Sequence, residues 1–125
     1  MVWDGSGHGG FTAGTPWLPV KAPQMRHAVE AQRGVEGSAL ETYRAMIALR
    51  RSERSLRLGA ARFLDVEEPV LAFRRGEDVL CVFNLSPEPR EAEVGAVGEV
   101  LMAQDAVMAG GVVRLGPNGA LVARV

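Results

Sequence analysis

Cysteine occurs once in the 125 residues, at Cys81, and histidine twice, at His8 and His27. A lone cysteine excludes an internal disulfide, and two isolated histidines exclude a metal site built on closely spaced His and Cys ligands. Aromatic residues make up only 6% of the chain, which is little for a stacking platform. Fourteen basic and fifteen acidic residues leave a net charge of −1. That balance supplies no electrostatic attraction toward nucleic acid or an anionic membrane. No apolar run approaches the roughly 20 residues needed to cross a bilayer, and the glycine-rich start lacks the basic and apolar regions of a signal peptide. A cytoplasmic location is therefore expected. The segment GSGHGG has neither the preceding strand nor the following helix of a phosphate cradle. With no complete catalytic or metal-binding constellation, neither a metal nor a cofactor is expected.

What is abundant is backbone punctuation. Residues 1–37 carry Gly5, Gly7, Gly9, Gly10, Gly14, Pro16, Pro19 and Pro23, a density that prevents any regular element longer than a few residues. A loop of that length is uncommon inside a compact domain unless it is functional. Trp3, Phe11 and Trp17 lie within it. They act either as anchors of the loop, the expected role, or as the wall of a sugar cleft, where flat rings stack on pyranose faces. His27 is expected to be a hydrogen-bonding anchor rather than a general base.

The stretch SALETYRAMIALRRSER, Ser38 to Arg54, holds the one long helical pattern. Ser38 followed three residues later by Glu41 is a capping box, and Arg50, Arg51 and Arg54 complement the negative end of the macrodipole. Ala39, Leu40, Tyr43, Met46 and Ile47 fall on one arc, which Leu49 and Ala45 widen beyond what a helix covered on one side needs. After Ala61 the pattern changes to strands, expected at Arg62–Val66, Val70–Arg74, Val79–Leu85, Arg90–Val94, Glu99–Ala103, Val112–Leu115 and Ala120–Arg124. Gly76-Glu77-Asp78 closes a hairpin, and Pro117-Asn118-Gly119 reads as a tight turn. VLCVFNL is apolar at nearly every position, as in a central strand covered on both faces, which makes Cys81 a buried and inert thiol. Asp65, Glu67 and Glu68 read as a solvated turn rather than an acid and nucleophile pair. Arg74 and Arg75 stand apart from any basic aromatic patch.

The order Met1-Val2-Trp3-Asp4, Gly10-Phe11-Thr12, Pro16-Trp17-Leu18-Pro19-Val20, His27, Gln32 and then SALETYRAMIALRR resembles the end of the catalytic barrel in α-glucosidases and oligo-1,6-glucosidases of glycoside hydrolase family 13, the α-amylase family. LRLGAARFLD, PVLAFRRGEDVLCVFNLS and LGPNGALVARV are similar to the C-terminal β domain of those enzymes. The resemblance implies an α+β, mainly β, fold: an antiparallel β-sandwich preceded by one long helix and a loop left from a (β/α)₈ barrel. Residues 1–57 would be the barrel remnant and residues 58–125 the sandwich domain. A whole barrel needs about 250 residues.

The resemblance further implies a parent enzyme that hydrolyses α-glucosidic bonds of short oligosaccharides with retention, through an aspartate nucleophile and a glutamate acid/base. The chain is expected to be a C-terminal fragment without those carboxylates and without activity alone, so no catalytic residue is assigned. Trp3 and Asp4 are the expected lining of the parent's substrate cleft. The expected partners are an α-linked gluco-oligosaccharide, through the parent, and the missing barrel. A second copy is a further candidate, meeting the uncovered helix face at Leu40, Tyr43 and Ile47. Two other readings stay open: a β domain binding glycans through Trp3, Trp17 or Phe73, and a structural or oligomerisation module.

Overall fold

The computed structural model describes residues 1–125. They form two compact units, Met1–Ala48 and Leu49–Val125.

The first unit is loop punctuated by two single-turn helices, α1 (Ala22–Met25) and α2 (Val29–Gln32), and it ends in the long helix α3 (Ala39–Ser52), through which the unit boundary passes. Pro23 in the first turn of α1 needs no amide partner, as at other helix starts. α2 has Ala28 at its cap and no capping side chain. Its leading amides are satisfied by the N-terminal segment instead, Val29 N–H donating to the Val2 carbonyl at 3.0 Å and Glu30 N–H to that of Trp3 at 2.9 Å. Val2, Ala28 and Val29 are buried at this junction. They anchor the loop, in place of the aromatics: Trp17 is 91% exposed, between Pro16 and Pro19.

α3 begins as expected but with half of the expected cap. Glu41 N–H donates to Ser38 Oγ at 3.3 Å, whereas the Glu41 carboxylate accepts from Gly34 N–H at 3.0 Å and Arg44 at 2.9 Å rather than from Ser38. Ser38 N–H is already taken by the Val35 carbonyl, so the reciprocal bond has no donor left. Gln32 completes the junction, accepting from Leu40 N–H at 3.1 Å and donating to the His27 carbonyl at 2.7 Å. The hydrogen bond at His27 is thus made by its main chain. No residue of α3 is buried. Tyr43 is 71% and Ile47 38% exposed, while Leu40, Met46 and Leu49 are half-buried. Arg54 does not end this helix: the backbone extends at Glu53, and Arg54–Leu58 forms a separate turn, α4.

The second unit is an antiparallel sheet of β1 (Ala61–Phe63), β2 (Val70–Arg75), β3 (Val79–Asn84), β4 (Arg90–Glu93), β5 (Val100–Ala109) and β6 (Val112–Arg124). The order is β1-β2-β3-β6-β4, and β5 pairs along the other edge of β6. Gly76-Glu77-Asp78 closes the β2–β3 hairpin, with Gly76 at φ +60°. β3 is covered on both faces, Leu80 and Val82 on one and Val79 and Cys81 on the other. The two strands expected at Val112–Leu115 and Ala120–Arg124 are one strand. Pro117-Asn118-Gly119 is a kink inside β6, where four residues, 116 to 119, stand opposite the single residue Asp105 of β5. Asp105 (φ +46°) and Asn118 (φ +54°) both take the left-handed conformation, as at an irregular bulge. The kink lets β6 pair β4 with its first half and β3 with its second. β5 accordingly runs to Ala109 rather than stopping at Ala103. It turns through Gly110-Gly111, both at positive φ, as a two-residue hairpin requires.

Candidate functional site

In the first unit the start of the chain folds back on itself. Trp3 N–H donates to the Gly9 carbonyl at 2.8 Å, Gly9 N–H to the Ser6 carbonyl at 2.9 Å, and Gly10 N–H to Ser6 Oγ at 3.1 Å. Within this ring Asp4 Oδ1 accepts from Ser6 N–H at 2.9 Å. The Ser6 hydroxyl, and after it the Ser6 amide, hold the Asp4 carboxyl below the usual carboxylate range. Gly9 and Gly10 have positive φ and press against side chains. A Cβ on Gly9 would come within 2.9 Å of Val2, and one on Gly10 within 2.7 Å of Asp4 Oδ2.

Beside this ring lies an apolar cleft of about 930 Å³ walled by Phe11, Pro16, Trp17 and Leu18, with Lys21, Gln24 and His27 along its polar side. Trp3, half exposed, and Asp4 do not line it, so the structure brings Trp17 together with His27 but leaves the two expected cleft residues outside this particular cavity. Phe73 is no open platform. Its ring lies between those of Phe63 (5.7 Å) and Phe83 (6.0 Å) across three strands, and Phe63 on the edge strand is the exposed member.

The second unit has its own cleft of about 750 Å³, between Glu67 and Glu68 on one side and Asp105, Arg114 and Gly116 on the other. The carboxylates there are spread out, and no group of three metal-ligating side chains occurs anywhere in the chain. Asp65, Glu67 and Glu68 are exposed. Burial pushes the Cys81 thiol up to about 11, so it is a protonated side chain of the sheet interior rather than a nucleophile. The bond between the Ser6 amide and Asp4 was not among the contacts expected from the sequence. The available signal was Asp followed two positions later by Ser, the spacing of an Asx turn.

The α-amylase catalytic-domain family model matches residues 1–59, and the model described as a domain of unknown function, DUF3459, matches residues 51–122. The chain belongs to the α-amylase family. Among curated relatives, this α-amylase family chain is 36% identical over 97 residues to a probable α-glucosidase of Rhizobium meliloti, covering 75% of the chain and 18% of the relative. It is 35% identical over 99 residues to the trehalose-6-phosphate hydrolase of Escherichia coli, covering 76% and 18%. The chain thus spans about a fifth of the length of these relatives. Among solved structures, the α-glucosyl transfer enzyme XgtA superposes with a TM-score of 0.85 at 38% identity, over 99% of this chain and 24% of that one. The trehalulose synthase MutB of Pseudomonas mesoacidophila superposes with a TM-score of 0.89 at 28% identity, over 98% and 24%. The mainly antiparallel fold with one long helix is the arrangement that the resemblance implied.

Proposed function

We propose that this chain is the C-terminal part of an α-glucosidase-type glycoside hydrolase, in which residues 1–57 complete the catalytic barrel and residues 58–125 form the accessory β-sandwich. The consecutive matches to the catalytic and C-terminal families carry this reading. The whole enzyme, cytoplasmic, would cleave α-glucosidic bonds of short oligosaccharides with retention, using two carboxylates about 5–5.5 Å apart on the rest of the barrel. Trp3 and Asp4 would line its substrate cleft. The uncovered face at Tyr43 and Ile47 would lie against the remaining barrel and, in the isolated chain, against a second copy. By itself the chain holds no acid and nucleophile pair and should not hydrolyse glucosides. Purified 125-residue chain incubated with p-nitrophenyl α-glucoside is expected to release no nitrophenol. Turnover that co-purifies with the chain through several columns would overturn the assignment.

The similarity to XgtA favours a second reading of the parent, transfer of the glucosyl group to a hydroxyl acceptor other than water. Analysis of products from the longer enzyme in the presence of excess acceptor sugar separates the two, glucose marking hydrolysis and a larger glucoside marking transfer.

A further inference from the structure

Of the aromatic side chains that could offer a flat face to a ligand, two lie in a cavity that also holds polar groups. Phe73 is stacked between Phe63 and Phe83, and Trp3 stands outside the cleft. Trp17, 91% exposed, and Phe11, 52% exposed, wall the cleft of about 930 Å³ in the first unit. That volume and that mixture of aromatic wall and a few polar groups are those of a small-ligand site. The polar groups are free to act on a ligand. Lys21 takes part in none of the ion pairs of the structure. Gln24 uses its side-chain oxygen to accept from the Lys21 amide at 2.9 Å, and its NH₂ group remains as a donor. Both hydrogen bonds at His27 are made by its main chain, so the ring nitrogens are open.

A wholly apolar guest would leave these donors without partners. An anionic guest would meet a single ammonium, where the paired N–H groups of arginine are the usual grip. A pyranose satisfies both walls: its C–H face lies on the negative face of an aromatic ring, and its hydroxyl oxygens accept from the donors. We propose that this cleft binds a glucosyl unit of an α-linked disaccharide, stacked on Trp17 beside Phe11 and held through its hydroxyls by Lys21, Gln24 and His27. The choice of glucose as the sugar rests on the α-glucosidase reading above; the stacking site itself does not.

Titration of the 125-residue chain with isomaltose and maltose tests it, followed by tryptophan fluorescence and by calorimetry. A saturable response at millimolar sugar is expected. Trp17→Ala should weaken binding about ten-fold, as loss of a central aromatic contact does, and Trp3→Phe should leave it unchanged. The double variant Lys21→Met, His27→Phe keeps the apolar wall and removes two donors, so it should weaken isomaltose about ten-fold while an apolar dye still binds. Trp17 is exposed and His27 bonds through its main chain, so circular dichroism and the melting temperature should stay at their wild-type values in these variants. No saturable response to either sugar, or Trp17→Ala titrating as wild type, overturns the site, and so does a cleft that takes the dye alone. Binding requires no turnover. A chain that binds isomaltose while the longer enzyme hydrolyses no glucoside keeps the site and overturns the hydrolase reading, and the reverse result overturns the site alone.

Discussion

Cys81 sits in the middle strand β3, 3% exposed, and its thiol titrates near 11 instead of 9.0 because burial disfavours the thiolate. The folded chain therefore keeps this proton to higher pH than the unfolded chain does. The sign follows: Cys81 leaves stability unchanged below about pH 9 and lowers it as pH rises from there toward 11. Urea denaturation across that range should show the decline, and Cys81→Ala should flatten it. Reaction with a disulfide reagent at neutral pH should be slow in the native chain and fast in denaturant. Asn84 is the buried polar side chain of the same strand, and it is fully satisfied. It donates to the Glu88 and Gly116 carbonyls at 2.6 and 2.8 Å, and accepts from the Ser86 amide and hydroxyl at 3.0 and 2.9 Å. Asn84→Ala strands those partners and should cost about 1–3 kcal/mol in thermal or urea unfolding. The burial of Cys81 was legible in the unbroken apolar run around it. The role of Asn84 was not, since its partners lie as far as 32 residues away.

Among the elements, the kinked β5–β6 hairpin departs furthest from a regular ladder. A Cβ at Gly116 would overlap the Asp105 carboxylate, and one at Gly119 would sit 3.0 Å from the Gly116 carbonyl and against that of Asp105. Gly116→Ala should therefore destabilise by about 1–3 kcal/mol, as overpacking does. A companion Asp105→Gly change should recover part of that loss by opening the space. Pro117-Asn118-Gly119 carries a turn signature, and locally it behaves as one. Whether it ends a strand or bends a longer one is decided by β5, which runs past on the far side and supplies partners to both halves of β6. The same distinction holds at the start of α3. The serine cap is a contact within one turn and could be read from Ser38 and Glu41. The diversion of the Glu41 carboxylate to Gly34 depends on how the preceding loop returns. Among the loop aromatics the expectation of anchoring failed for Trp17: Val2 and Val29, whose own main chains are bonded at the junction, are the side chains buried there.

For the molecule as a whole, the unusual feature is the amount of large apolar surface left open: Trp17, Tyr43, Leu58 and Phe63 are each more than two-thirds exposed. Uncovered apolar patches of several hundred Å² are rare on soluble monomers. Sedimentation velocity over a concentration series should show the 125-residue chain self-associating, and Tyr43→Lys should shift it toward monomer. A wild-type chain that stays monomeric throughout would show that the α3 face is not the contact. The sequence by itself determined the family, the single long helix and the central β3 strand, because each rests on a local pattern of residue type and spacing. Only the tertiary structure decided that two apparent strands are one bent strand, that Gly9 and Gly10 return against Val2 and Asp4, and that Trp17 faces solvent. Those outcomes depend on contacts between residues whose proximity arises when the chain returns on itself, and no local spacing encodes the return.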